Sequence, residues 1–343
     1  MILVRADANE VIATGHIMRC LSIAKELEKC GEAIKFVTAD SFAESLILQA
    51  GFETICLNTV WNEMEKELSQ LLEVINRYKP SWILIDSYSV TDRYLEVLRR
   101  HTRVAYMDDI NSFLYPVDLL INYNMYAESY NYEARYKEAG FSTRCYIGTS
   151  YAPLREEFTN VKKVISNKAT KILITSGGTD NYNVTGHILQ RLESEEWFYD
   201  LEFYVILGKF NNNKELLQQQ WRNYTNIHFL VAINNISDYM KLCDVAITAG
   251  GVTTYELCAC GIPSIMYTLA DNQLDIARTA QEKQLIRWVG DVRSSMTDCM
   301  EAIVTYLTEI IEDEDKRKEL SSRMQSLVDG KGCKRIARIL LAY

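Results

Sequence analysis

The sequence predicts an α/β protein made of two doubly wound, Rossmann-like domains of similar size that face a central cleft. Three observations predict it. Apolar runs of strand length alternate with amphipathic helical stretches along nearly the whole chain. Several of these runs end in small or polar residues immediately before a helix, as strands do at the carboxyl edge of a parallel sheet. The alternation stops at a Pro-containing polar segment near residues 151–168 and then restarts. The expected organisation is a first domain over 1–150, a hinge over 151–168, a second domain over 169–330, and a last helix over 331–343 that can cross back to the first domain.

Taken in order, Ile2-Leu3-Val4-Arg5-Ala6-Asp7 reads as a buried strand, and His16-Ile17-Met18-Arg19-Cys20 opens a helix. The loop between them ends in Thr14-Gly15-His16. A helix start offers free N–H groups and partial positive charge, which suit a phosphate or a developing anion. His16 is the first candidate for chemistry there, with capping or packing as the plainer alternative. One Gly stands where a dinucleotide fingerprint needs three, so this turn is not an NAD site.

A strand follows at 34–38, a helix at 42–50, a short strand at 53–57 and a long helix over 62–78 that Lys79-Pro80 stops. Trp82-Ile83-Leu84-Ile85-Asp86 is a further apolar strand running into Ser87-Tyr88, and Val104-Ala105-Tyr106-Met107 ends in Asp108-Asp109. The strand at 118–122 leads to Asn124 and Tyr126, and Cys145-Tyr146-Ile147-Gly148 closes the first half. Polar and aromatic side chains therefore gather at successive strand ends, as a substrate crevice requires, although each Asp can equally be a turn or cap residue.

The second half restarts with the strand Lys171-Ile172-Leu173-Ile174-Thr175-Ser176 and the turn Gly177-Gly178-Thr179-Asp180, with a helix from about Tyr182. Glycines allow close backbone approach, so this turn suits a diphosphate. Strands at 201–207, 227–231 and 245–248 follow, the last running into Gly250-Gly251-Val252-Thr253-Thr254-Tyr255-Glu256. Glu256 falls in the first turn of the next helix, where it can accept from both hydroxyls of a ribose or simply complement the helix dipole. Ser264-Ile265-Met266 and the cluster Ala270-Asp271-Asn272-Gln273 come next, then two charged helices, from about 294 to 328 with a break and from 332 to 343.

Composition narrows the function classes. The 343 residues are 48% hydrophobic and 24% charged, an ordinary globular balance. The net charge of −9 argues against a nucleic-acid surface. No apolar run approaches the roughly 20 residues that cross a bilayer, no signal-type segment precedes the first strand, and a cytoplasmic location is expected. Nine Cys without a C-x-x-C pair read as reduced, mostly buried thiols rather than a zinc or redox motif.

Two such domains across a cleft match the GT-B architecture of nucleotide-sugar enzymes, and the motifs themselves carry a resemblance. Arg5-Ala6-Asp7-Ala8 with Gly15-His16-Ile17-Met18-Arg19, Asp86-Ser87-Tyr88, Asp108-Asp109, Tyr151 to Phe158, Ser176 to Asp180, Gly250 to Glu256 and Ala270 to Gln273 occur as seven separated blocks. Together they resemble the UDP-sugar hydrolase of the pseudaminic acid pathway, a family related to MurG-type glycosyltransferases and to SpsG-type spore-coat polysaccharide proteins. That family removes UDP from UDP-2,4-diacetamido-2,4,6-trideoxy-β-L-altropyranose. Ala13-Thr14-Gly15-His16 stands where the family has Gly-x-Gly-His, and Asn181 stands where a Pro commonly follows Gly-Gly-Thr-Asp.

The resemblance implies a UDP-sugar substrate and His16 and Asn272 as catalytic residues, with neither cofactor nor metal. Asp7, Gly15, Arg19, Tyr88, Asp109 and Arg155 would bind the sugar. Gly177, Gly178, Thr179, Gly250, Gly251, Thr253, Glu256 and Gln273 would bind UDP. A glycosyltransferase with the same donor, or a silent nucleotide-sugar binder, are the alternatives.

Overall fold

Hydrophobic runs lie at the centre of two all-parallel sheets in the computed structural model, which describes residues 1–208, 211–231, 233 and 235–342. The chain divides into two compact units, Met1–Glu156 with Gly330–Tyr343, and Glu157–Asp329. Tyr343, expected in the last helix, lies outside the described residues.

Unit 1 holds β1 (Ile2–Ala6), α1 (Gly15–Lys29), β2 (Ile34–Thr38), α2 (Glu44–Gln49), β3 (Glu53–Cys56), α3 (Met64–Tyr78), β4 (Trp82–Asp86), α4 (Asp92–Arg99), β5 (Arg103–Met107), β6 (Leu119–Asn122), α5 (Tyr132–Glu138) and β7 (Arg144–Ile147). Its seven strands lie in the order β3-β2-β1-β4-β5-β6-β7, with Ile2 in register with both Ile34 and Trp82. β1 and β4 are buried throughout, which is why they read as unbroken apolar runs. Helix α1 buries Ile17, Cys20, Leu21, Ala24 and Leu27, one face of a 3.6-residue period. α3 ends where Lys79 turns left-handed (φ 46°) ahead of Pro80.

Unit 2 holds β8 (Lys171–Thr175), α6 (Val184–Leu192), β9 (Glu202–Leu207), α7 (Lys214–Gln220), β10 (Ile227–Val231), α8 (Ile236–Leu242), β11 (Val245–Ala249), α9 (Thr253–Cys260), β12 (Ser264–Thr268), α10 (Leu274–Glu282), β13 (Arg287–Asp291), α11 (Met296–Glu312) and α12 (Glu314–Leu327). The sheet order is β10-β9-β8-β11-β12-β13. The last helix, α13 (Gly332–Leu341), belongs to unit 1. It packs on α1, and Cys333 Sγ donates to the Leu154 carbonyl at 3.2 Å.

Two elements differ from the sequence reading, since α5 and β13 carry no signal strong enough to separate them from loop. The break expected in the charged stretch at 294–328 falls at Asp313, which leaves helical geometry and whose side chain accepts from Lys316 N–H at 2.9 Å.

Both sheets reverse direction of winding once, between β1 and β4 and between β8 and β11. Open α/β sheets bind ligands outside the carboxyl ends of the strands at such points. The loops there are 7–14 and Asp86-Ser87-Tyr88 in unit 1, and the two Gly-Gly turns in unit 2.

Candidate active site

At the unit 1 switch point, the start of α1 and the ends of β4, β5 and β6 bring charged side chains together beneath the rim. His16 and Arg19, one helical turn apart, are 6% and 5% exposed, and Asp86 is 1% exposed. His16 Nδ1 lies 2.6 Å from Asp86 Oδ1. Arg19 donates through Nε to Asp86 Oδ2 and through Nη2 to Asp86 Oδ1, both at 2.5 Å, and through Nη1 to Asp109 Oδ2 and Tyr123 Oη, both at 2.7 Å. Asp109 also accepts from Tyr88 Oη and Asn124 Nδ2, each at 3.0 Å. The Tyr88 ring stands edge-on to the imidazole, centroids 4.6 Å apart, and is 41% exposed.

Burial pushes the Asp86 carboxyl toward the neutral form, but the Arg19 charge and His16 outweigh it and hold its pKa well below the usual carboxylate range. A depressed carboxylate pKa stabilises the fold above about pH 4 and the contribution is lost as pH falls below that. His16 Nε2 makes no hydrogen bond among the described residues.

Asp7 belongs to a different network. Its Oδ2 accepts from Arg5 Nη1 at 2.6 Å and its Oδ1 from Ala39 N–H at 2.7 Å. The fully buried Arg5 is also bidentate to Glu67, both bonds at 2.7 Å, and Tyr94 Oη donates to Glu67 at 2.7 Å. Burial raises the Asp7 pKa, and Arg5 opposes that rise. Oδ1 thus ties the end of β1 to the end of β2 and Oδ2 holds Arg5 of β1 itself, and the carboxylate is buried.

The loop itself is compact. Asn9 Oδ1 accepts from Val11 and Ile12 N–H at 2.8 and 2.9 Å, and Ala13 adopts φ 53°. Gly15 is exposed, with nothing within 4 Å of where a Cβ would sit. Arg155 lies half-buried in the segment leaving unit 1.

In unit 2 the two Gly-Gly turns differ. After β8, Gly177 takes φ 80° and Asp180 caps α6, accepting from Val184 N–H at 2.7 Å and Thr185 N–H at 3.0 Å. Gly208 packs against this turn so closely that a Cβ would come within 2.2 Å of the Gly177 carbonyl oxygen. After β11, Gly250 is buried, Gly251 takes φ 134°, and α9 starts without a side-chain cap. The N–H groups of Val252 and Thr253 have no acceptor among the described residues.

Glu256 is half-buried in that helix's first turn. Gln273 Oε1 accepts from Leu269 N–H at 2.8 Å and its Cβ abuts Gly250, whereas Asn272 is exposed on the short turn before α10. Thr179 and Thr253 are half-buried. Among the described residues no group of three or more His, Cys, Asp or Glu could hold a metal ion, and no helix is long and apolar enough to cross a membrane.

Asp86, Tyr123 and the capping role of Asp180 were missing from the sequence-based site. The available signal for Asp86 was an acidic residue closing an otherwise apolar strand at a carboxyl edge.

Two parallel-sheet Rossmann-like domains of this kind define a GT-B-fold, glycosyltransferase-like protein. The chain belongs to the family described as glycosyltransferase family 28 C-terminal domain, whose model matches residues 151–330, just over half of the 343. It is 30% identical over 280 residues to an uncharacterized protein, MJ1062, of Methanocaldococcus jannaschii, covering 78% of this chain and 55% of that protein. The chain therefore spans about half the length of that relative. It is 27% identical over 242 residues to the UDP-2,4-diacetamido-2,4,6-trideoxy-beta-L-altropyranose hydrolase of Campylobacter jejuni, covering 70% and 81% of the two chains. The crystal structure of Acinetobacter baumannii MurG superposes with a TM-score of 0.71 at 13% identity, over 100% of this chain and 99% of that one.

Proposed function

We propose that the chain is a hydrolase that releases UDP from a UDP-linked diacetamido-trideoxy sugar by attack of water at the anomeric carbon, with inversion, in nonulosonic acid or surface polysaccharide biosynthesis. Residues 1–150 would hold the sugar and 169–330 the nucleotide. The observation that supports this reading most is a buried imidazole, His16, fixed at the switch point of unit 1 with one ring nitrogen that bonds to none of the described residues. The named activity of the Campylobacter relative supports the proposed reaction and sugar class.

In this mechanism His16 takes the proton from water as its oxygen bonds to C1, while the bond from C1 to the diphosphate oxygen breaks and UDP departs. Asn272 holds the water or the developing charge. The uncapped N–H groups at the start of α9 take the diphosphate, and Glu256 takes the ribose hydroxyls. Gly177, Gly178 and Thr179 line the same nucleotide, but Asp180 already neutralises the α6 terminus, so the Gly250-Gly251 turn does most of the anion binding.

A second reading, a glycosyltransferase using the same donor, is favoured by the family 28 match. A UDP-release assay over a panel of UDP-sugars separates the two. The hydrolase releases UDP with water alone, and the transferase releases it only when an acceptor is added. Binding of UDP-sugar with no release under either condition overturns both.

A further inference from the structure

We propose that Asp86 and Arg19 form the positioning pair for His16, with Asp86 selecting the ring tautomer and Arg19 holding Asp86 rather than binding the sugar. The inference rests on the reading of His16 as the base. It starts from an ambiguity at His16 Nδ1, which lies 2.6 Å from an Asp86 carboxylate oxygen and 3.2 Å from Arg19 Nη2. A guanidinium only donates and a carboxylate only accepts, so the proton content of Nδ1 decides which neighbour is its partner. An unprotonated Nδ1 would set its lone pair against the carboxylate at the shorter distance. A protonated Nδ1 donates to Asp86 in a short charge-assisted bond, and Arg19 Nη2 is satisfied by the same Asp86 oxygen at 2.5 Å. The neutral ring therefore carries its hydrogen on Nδ1, and Nε2 is the basic nitrogen.

Arg19 is largely committed to protein acceptors. Four of its five N–H groups are taken, Nε and one Nη2 hydrogen by Asp86 and both Nη1 hydrogens by Asp109 and Tyr123, and the residue is 5% exposed. A bidentate grip of this kind fixes the carboxylate plane, and through it the plane of the imidazole. Lysine cannot reproduce it, being a single point charge.

The groups touching the imidazole are Asp86 from β4, Arg19 from α1 and Tyr88 beyond β4, while Cys20 bonds to Asp86 and Asp109 and Tyr123 bond to Arg19.

The test uses the full chain labelled with 15N at the histidine rings, the His16 signals being assigned by their loss in His16→Asn. In the wild type, at a pH where the ring is neutral, Nδ1 is expected to show the protonated signature and Nε2 the unprotonated one. The reverse assignment overturns the proposal without any variant. Asp86→Asn should abolish that preference and lower kcat by about 10²-fold or more, with UDP affinity within twofold. Arg19→Lys should lower kcat about tenfold or more and leave KM nearly unchanged. A raised KM at unchanged kcat makes Arg19 a sugar ligand and overturns its part. If no UDP-sugar is hydrolysed, the reading of the base fails, while the ring spectra still decide the role of Asp86.

Discussion

The two switch points of this molecule are built from opposite materials. In unit 1 the rim is made of side chains, where His16, Arg19, Asp86, Asp109, Tyr88 and Tyr123 hold one another in a largely buried network. In unit 2 it is made of main chain, where two Gly-Gly turns precede helices and only one of those helices carries an acidic cap. The difference teaches what each rim can do. A prepositioned side-chain network can fix one proton and one orientation, as chemistry demands. A turn with uncapped N–H groups can receive charge without any side chain moving, as nucleotide binding demands.

The comparison breaks most visibly at His16. His16→Asn removes the proposed base and keeps the side chain polar, so turnover is expected to fall by roughly 10²–10⁴-fold while UDP binding, proposed for the other rim, stays within twofold. Steady-state turnover and calorimetry on the same preparation check both halves. Turnover within threefold of wild type means that the unit 1 network serves structure alone.

The corresponding probe of the main-chain rim is Glu256→Ala. Loss of a charged acceptor for two ribose hydroxyls is expected to weaken UDP binding by on the order of 1.5–3 kcal/mol. Calorimetry with UDP and with 2′-deoxy-UDP sharpens the point, since the two nucleotides should bind the variant more nearly alike than they bind the wild type. Unchanged UDP affinity places ribose recognition elsewhere.

Much of this contrast was legible in the sequence, and the remainder was not for identifiable reasons. The central strands β1, β4, β8 and β11 are buried on both faces, so Ile2-Leu3-Val4 and Trp82-Ile83-Leu84-Ile85 announced themselves as apolar runs. The glycine turns were visible because few residues suit them. What pairs with what was not visible. His16 and Asp86 are 70 positions apart, and Arg19 and Tyr123 are 104 apart. Their meeting depends on the strand order β1-β4-β5-β6, which local periodicity does not encode. The resemblance implies Arg19 and Asp7 as sugar ligands. Here each is paired internally and buried. β13 was missed because Arg287-Trp288-Val289-Gly290-Asp291 is only half-buried, with Arg287 exposed.

A smaller effect concerns the loop over the side-chain rim. Ala13 stands where the resembled family has Gly, and it adopts φ 53°, a left-handed conformation that disfavours a Cβ. Ala13→Gly relieves that strain but loses some conformational entropy, so a net stabilisation of about 0.5–1 kcal/mol is expected by denaturant unfolding. The substitution leaves the Asn9 bonds to Val11 and Ile12 in place, so turnover should change less than threefold. A destabilised variant shows that the methyl group packs usefully.

The smallest effect is the sharpest test of the main-chain rim, because its two consequences have opposite signs. Asp180 already supplies α6 with a carboxylate, whereas the N-cap residue before α9 is Val252, which is exposed and gives no side-chain bond. Val252→Asp places a negative charge at that uncapped terminus, where interaction with the helix dipole is expected to raise stability by about 0.3–1 kcal/mol. The same carboxylate occupies the place proposed for the diphosphate, so UDP affinity should fall, and more at low than at high salt because the repulsion is partly screened. Thermal unfolding and UDP titration at two ionic strengths read the two signs independently. A simple fold defect would lower both quantities together. A variant that gains stability and still binds UDP as tightly as the wild type assigns the diphosphate to the Gly177-Gly178 turn, despite the acidic cap that closes it.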